Sequence, residues 1–167
     1  SGTTLVTVDM QSAAVSEVGP VGEPSILGLA VHPDGTLYGF GSIGRLQRID
    51  RLTGAGTPVG AAFSGAIEQV FGLAFAPDGS LFASAGLAGT VGTHLLLLDL
   101  ETGTSQVRGD FGRTVRGLAF TPGGALYGTD NARNRLLSVD PGDASTEVIM
   151  ALPNVTGLAA AANDTLF

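Results

Sequence analysis

The sequence holds no cysteine, no lysine and no tryptophan, and only 14% of its 167 residues are charged. Without cysteine there are no disulfides and no thiolate metal sites. This leaves the cellular compartment open, with a secreted or periplasmic setting as the expectation. Without lysine, all eight basic residues are arginine, a codon bias expected of a GC-rich bacterial genome. Long apolar runs are missing too. Leu95 to Leu98 is the clearest one, far short of the roughly 20 residues that span a bilayer as a helix, so no membrane partner is expected. A nucleic-acid binder needs a basic stripe to displace counterions from phosphates. Here the net charge is −7 and the arginines look scattered, so no nucleic-acid partner is expected either. No signal peptide is visible, and Ser1-Gly2 reads as a tag remnant. What is present is apolar residues, at 44%, and 26 glycines, a composition that argues against disorder.

The glycines are periodic. Gly-Leu-Ala starts at Gly28, Gly72, Gly117 and Gly157, in steps of 44, 45 and 40 residues. A further copy at Gly86 is out of register and lacks the flanking pattern. Three registered copies precede a turn: Pro33-Asp34-Gly35, Pro77-Asp78-Gly79 and Pro122-Gly123-Gly124. In such turns proline presets φ near −65° and glycine takes positive φ. Leu37-Tyr38, Leu81-Phe82, Leu126-Tyr127 and Leu166-Phe167 come next. A hydrophobic run ending in Asp follows, at Asp50, Asp99 and Asp140, and a fourth such run ends at Asp9 near the N-terminus. Each segment reads as a short strand bounded by Gly, Pro and Asp, and no sustained 3.6-residue period marks a helix.

Four strands in about 40 residues is the pattern of a β-propeller blade. The expected fold is therefore an all-β propeller with four four-stranded blade-equivalents in a single domain, residues 1–167. It divides into a half-blade at 1–22, blades at about 23–66, 67–112 and 113–152, and a half-blade at 153–167. The first half-blade supplies strands 3 and 4 and the last supplies strands 1 and 2, so the two are expected to complete each other and close the ring. The expected closed form is a monomer. Two chains forming an eight-bladed ring, or a piece of a longer propeller, are the alternatives. The second full repeat is longer than the others, and the extra length is assigned to the connection Ala85 to His94. Deleting Gly86 to Gly92 is expected to leave the fold intact.

The run Gly28 to Gly60 and its later copies resemble NHL-like and YncE-like bacterial β-propeller repeats. The segment Tyr127-Gly128-Thr129-Asp130-Asn131-Ala132-Arg133-Asn134-Arg135-Leu136 is the most NHL-like part. The resemblance implies architecture. The group includes peptide, RNA and sugar binders, lactonases and structural domains, and fold does not fix function.

Gly39-Phe40-Gly41-Ser42-Ile43-Gly44 matches G-x-G-x-x-G, but a dinucleotide site needs a helix to start there. Here strand-like Leu46 to Ile49 follows, so no cofactor is expected. Asp9, Asp50, Asp99 and Asp140 each close a strand before a turn, where the carboxylate accepts backbone N–H bonds, and no metal is expected. His32 and His94 read as turn or surface residues. The connections from strand 4 to the next strand 1, and from strand 2 to strand 3, emerge on one face around the axis. Glu68, Arg116 and Asp130, with Glu23 and Arg133, are the ligand-binding candidates there, and no catalytic residue is assigned. The resulting function is a non-enzymatic binding or scaffold domain for an unknown small molecule or protein. The alternative is a metal-dependent lactonase or hydrolase of the sugar-acid type.

Overall fold

The computed structural model describes residues 2–62, 67–153, 155, 157–161 and 165–166. They contain fourteen strands and no helix. The first hairpin pairs β1 (Thr4–Val8) with β2 (Val15–Pro20). Three four-stranded antiparallel sheets follow in chain order. Blade A consists of β3 (Ile26–Val31), β4 (Leu37–Gly41), β5 (Arg45–Ile49) and β6 (Gly56–Val59). Blade B consists of β7 (Ile67–Phe75), β8 (Leu81–Leu87), β9 (His94–Leu98) and β10 (Ser105–Asp110). Blade C consists of β11 (Val115–Phe120), β12 (Leu126–Asp130), β13 (Arg135–Val139) and β14 (Thr146–Ala151). The expected propeller blades are therefore present, each a meander of neighbouring strands.

The Gly-Leu-Ala motif sets the spacing of the inner strands. A Cβ on Gly72 would run into the Arg116 carbonyl oxygen of the next blade. One on Gly117 would lie 2.9 Å from Thr129 Oγ1 and 3.0 Å from the Leu158 amide. Only glycine allows backbones to approach this closely. The leucine after it fills the layer between blades. Between A and B the buried layer contains Phe40, Leu46, Val70, Leu73, Leu81 and Leu96. Between B and C it contains Phe82, Leu95, Phe111, Leu118, Leu126 and Leu137. An aromatic from strand 2 of one blade also tilts onto strand 1 of the next. Tyr38 meets Phe75 at 5.4 Å and Phe82 meets Phe120 at 5.3 Å between centroids. Such pairs favour this offset, tilted geometry.

The recurrent aspartates are turn residues. Asp50 Oδ1 accepts the Leu52 and Thr53 amides, and Asp99 Oδ1 accepts those of Glu101 and Thr102. Asp9 does the same for Gln11 and Ser12. The turn then closes through a residue at positive φ: Ala13, Gly54, Gly103 or Ala144. The glycine-rich match at Gly39 to Gly44 is the tight β4–β5 hairpin, with Gly44 N–H donating to Gly41 O at 3.0 Å. His32 is a packing residue, edge-on to Phe75 at 5.0 Å. His94 lies in β9 and is buried, not at the surface.

Two expectations need correction. First, the described residues do not close a ring. β1 pairs with β2 alone, and the C-terminal segment shows only an Ala160–Leu166 bridge. The two half-blades are docked at opposite ends of the array. Thr3 and Val21 tie the first to its own connection into blade A, and Gly19 touches Thr53 and Gly54 of that blade. Asn131 Nδ2 donates to Val155 O at 2.7 Å, fixing the last segment against blade C. Asn154, Asn163, Asp164 and Phe167 lie outside the described residues. The open end leaves a mark. Leu73 and Leu118 are 7% and 4% exposed, while Leu29, at the same motif position, is 51% exposed. Among the described residues, no preceding inner hairpin covers blade A.

Second, the connection assigned to Ala85–His94 begins later than expected, because its first residues are strand. β8 runs to Leu87, Gly86 pairs with Gln69 and Leu87 with Ile67, and Ala85 is wholly buried. The loop proper is 88–93. Deleting Gly86 to Gly92 would remove two strand pairs, so the tolerated cut is shorter.

Candidate functional site

The antiparallel ladder of blade C brings together groups distant in sequence. Val115 of β11 and Arg135 of β13 both stand opposite Asp130, the last residue of β12. Asp130 is fully buried. Burying a carboxylate is costly unless it is paired, and two guanidinium groups approach the same oxygen. Arg133 Nη1 lies 3.4 Å from Asp130 Oδ2, and Arg113 Nη1 lies 3.9 Å from it. The Arg133 backbone N–H also donates to Oδ1 at 3.2 Å. The side chain of Arg133 is more than half exposed and that of Arg113 a quarter exposed.

Arg113 reaches this place through its connection. Thr93 N–H donates to Arg113 O and Phe111 N–H to Thr93 O, both at 3.0 Å. The same pair of bonds joins Thr3 to Glu23 and Val21 to Thr3, at 2.9 and 2.8 Å. Glu23 and Arg113 therefore occupy equivalent positions in two connections, with opposite charge. Glu23 is buried and accepts a hydrogen bond from Gln47 Nε2 through Oε1, while Oε2 has no partner among the described residues. Gly41 makes room for this carboxylate.

Asp130 and Arg133 thus come together as a pair, and Glu23, Glu68 and Arg116 do not join them. Glu23 belongs to blade A. Glu68 is exposed on β7, and no ion pair links it to Arg116 or Asp130. Arg116 sits over the Phe71 ring at 5.0 Å, a cation–π contact between blades. Arg113 was not among the five candidates. It lies 17 positions from Asp130, on a different connection, and only the β11–β12 pairing makes them neighbours. The arginines are also less scattered than the whole-chain view suggests. Five of eight fall between Arg108 and Arg135, with only Asp110 and Asp130 as acidic residues in that stretch. Among the described residues, no three of His, Asp and Glu are grouped to hold a metal ion.

No family model matches this sequence, and no curated protein matches it. Solved structures do match. The chain is similar to one in a crystal structure of a nidogen/laminin complex, with TM-score 0.69 and 18% identity, over 95% of this chain and 62% of that one. It is similar to a gluconolactonase from Xanthomonas campestris, with TM-score 0.76 and 15% identity, over 99% of this chain and 62% of that one. It is also similar to TolB from Acinetobacter baumannii, with TM-score 0.68 and 20% identity, over 96% of this chain and 41% of that one. These likenesses place the chain among β-propeller folds. The chain spans 62% of the length of the nidogen/laminin-complex chain and of the gluconolactonase.

Proposed function

We propose that this chain is a non-enzymatic binding or interaction propeller, with its recognition site on the connection face of blade C. The observation that carries this reading is the convergence of Arg113 and Arg133 on buried Asp130. A rigid sheet end holds the carboxylate, and the partly exposed guanidinium groups of Arg113 and Arg133 stand around it. Sites built on a rigid scaffold with polar groups at the loops are the usual arrangement for binding. The partner is a small molecule or a protein, and no nucleic-acid or membrane role is assigned. The Asp130-to-Arg135 segment supports an NHL-like or YncE-like affiliation.

The second reading is a sugar-acid lactonase, favoured by the likeness to a gluconolactonase. Against it, the carboxylates Glu23, Glu68 and Asp130 stand in three separate environments, and metal-assisted hydrolysis needs donors that converge. The test is a panel of lactones and esters assayed with and without Ca²⁺, Mn²⁺ and Zn²⁺. The binding reading expects no turnover above the buffer rate under any condition. Metal-dependent turnover that Glu68→Ala removes would replace it with the enzyme reading.

A further inference from the structure

We propose that the connection face of blade C binds an oxyanion, a carboxylate or phosphate group on a small molecule, between Arg113 and Arg133. This rests on the binding reading above and names its ligand class. One carboxylate, Asp130, faces two guanidinium groups that meet at its Oδ2, so the cluster keeps a net positive charge. Arg135 stands directly across the ladder from Asp130 and adds to the positive potential. This occurs in a chain of net charge −7, so the field is local to this blade.

At 3.9 Å the Arg113 guanidinium is an ion-pair neighbour of Asp130, beyond hydrogen-bond range. Its Nε is buried without a partner among the described residues, so the donors open to a ligand are those at the outer end of the guanidinium. Arg133 commits one side-chain donor, Nη1, to Asp130. A guanidinium carries five donors in a planar fork, so most of the hydrogen-bonding capacity of the pair is unused. Planar forks match carboxylate and phosphate oxygens two at a time.

Asp130 is fixed by burial and by the Arg133 amide, so it holds the two guanidinium groups a few ångströms apart. Asp130 itself repels the ligand and acts as a positioning residue. Its place at the end of a central strand gives the site a rigid base.

The experiment is isothermal titration of the 167-residue chain with citrate, inorganic phosphate and neutral glucose, at constant ionic strength. Saturable binding of citrate or phosphate, and none of glucose, is expected. The relative affinities of citrate and phosphate identify the oxyanion. Arg133→Gln and Arg113→Gln should each weaken binding by about tenfold or more, as expected for loss of a charged hydrogen bond. Arg51→Gln should leave binding unchanged, because Arg51 bonds Gly35 O in blade A. Should Arg113→Gln fail to fold, the half-exposed Arg133 position decides the question. Absence of saturable oxyanion binding, or oxyanion binding indifferent to Arg133→Gln, would overturn the proposal. Glucose binding that is indifferent to Arg133→Gln would also overturn it, while leaving the binding-module reading in place.

Discussion

Gly72 and Gly157 occupy the same position of one motif but meet different surroundings. A Cβ at Gly72 would strike the Arg116 carbonyl of the next blade, whereas none of the described atoms lies within 4 Å of one at Gly157. Gly72→Ala should therefore destabilise the protein by about 1–3 kcal/mol, the usual cost of overpacking. Gly157→Ala should be neutral or slightly stabilising, because its φ is not positive and the unfolded chain loses freedom. Denaturant melts of the two variants check this, and equal effects would contradict it. The aspartates act at the same scale. Backbone amides two or three residues on hold the carboxyls of Asp9, Asp50, Asp78, Asp99 and Asp143 below their ordinary value near 3.8. The Thr36 amide is the main cause at Asp34, lowering it to about 2. A carboxyl with a lowered folded value adds stability that is complete above its unfolded value and is lost as pH falls through the folded one. The melting temperature should hold steady down to about pH 4 and fall between there and about pH 2. A midpoint that stays level through that range would contradict the turn role of these residues.

Among the elements, those legible in the sequence were the ones with strong punctuation. β4, β5, β12 and β13 were read from apolar runs ending at Gly, Asp or Asn, and their limits agree within a residue or two. β8 is legible only in part because Ala83, Ser84 and Ala85 are small. Their burial comes from close contact between sheets, and small residues give no alternation of hydrophobicity to read. The first half of β7 is hard to read for a related reason, since bulges at Ile67/Gln69 and Val70/Gly72 break its period of two. At the site, Asp130 and Arg133 were legible because they lie in one short segment. Arg113 was not, because its pairing depends on which strand lies beside which. Within the long repeat, the structure moves the dispensable piece to the turn after Leu87, where Val91 is almost fully exposed. Removing residues 88–91 should leave the far-UV circular dichroism spectrum and a single cooperative melt unchanged in character. The Ile67–Leu87 pair and the Thr93 bonds to Arg113 and Val115 remain. Loss of the cooperative transition would show that the turn itself is structural.

Across the molecule, stability lies in the layers between blades. Each full blade contributes one wall of a layer, and the next blade's Gly-Leu-Ala strand contributes the other. The layer under β1 and β2 is the thin one, made of Val21, Leu37 and Ile49 with Leu5 and Ile26 packed on it. Leu29 and Val31, 51% and 54% exposed, form the part of blade A that no preceding inner hairpin covers. Val31 stands where Phe75 and Phe120 each receive an aromatic from the blade before. This uncovered face follows from the central structural claim, that every blade is completed by the inner strands of the one before it. The cysteine-free sequence allows a direct measurement: single variants L29C, L73C and L118C, each reacted with a soluble disulfide reagent under native conditions. The L29C thiol should react at nearly the rate of an unfolded thiol. The L73C and L118C thiols should react on the order of a hundredfold more slowly, through opening of the fold. Equal protection at all three positions would contradict the account, because a hairpin would then have to cover Leu29 as blades A and B cover Leu73 and Leu118.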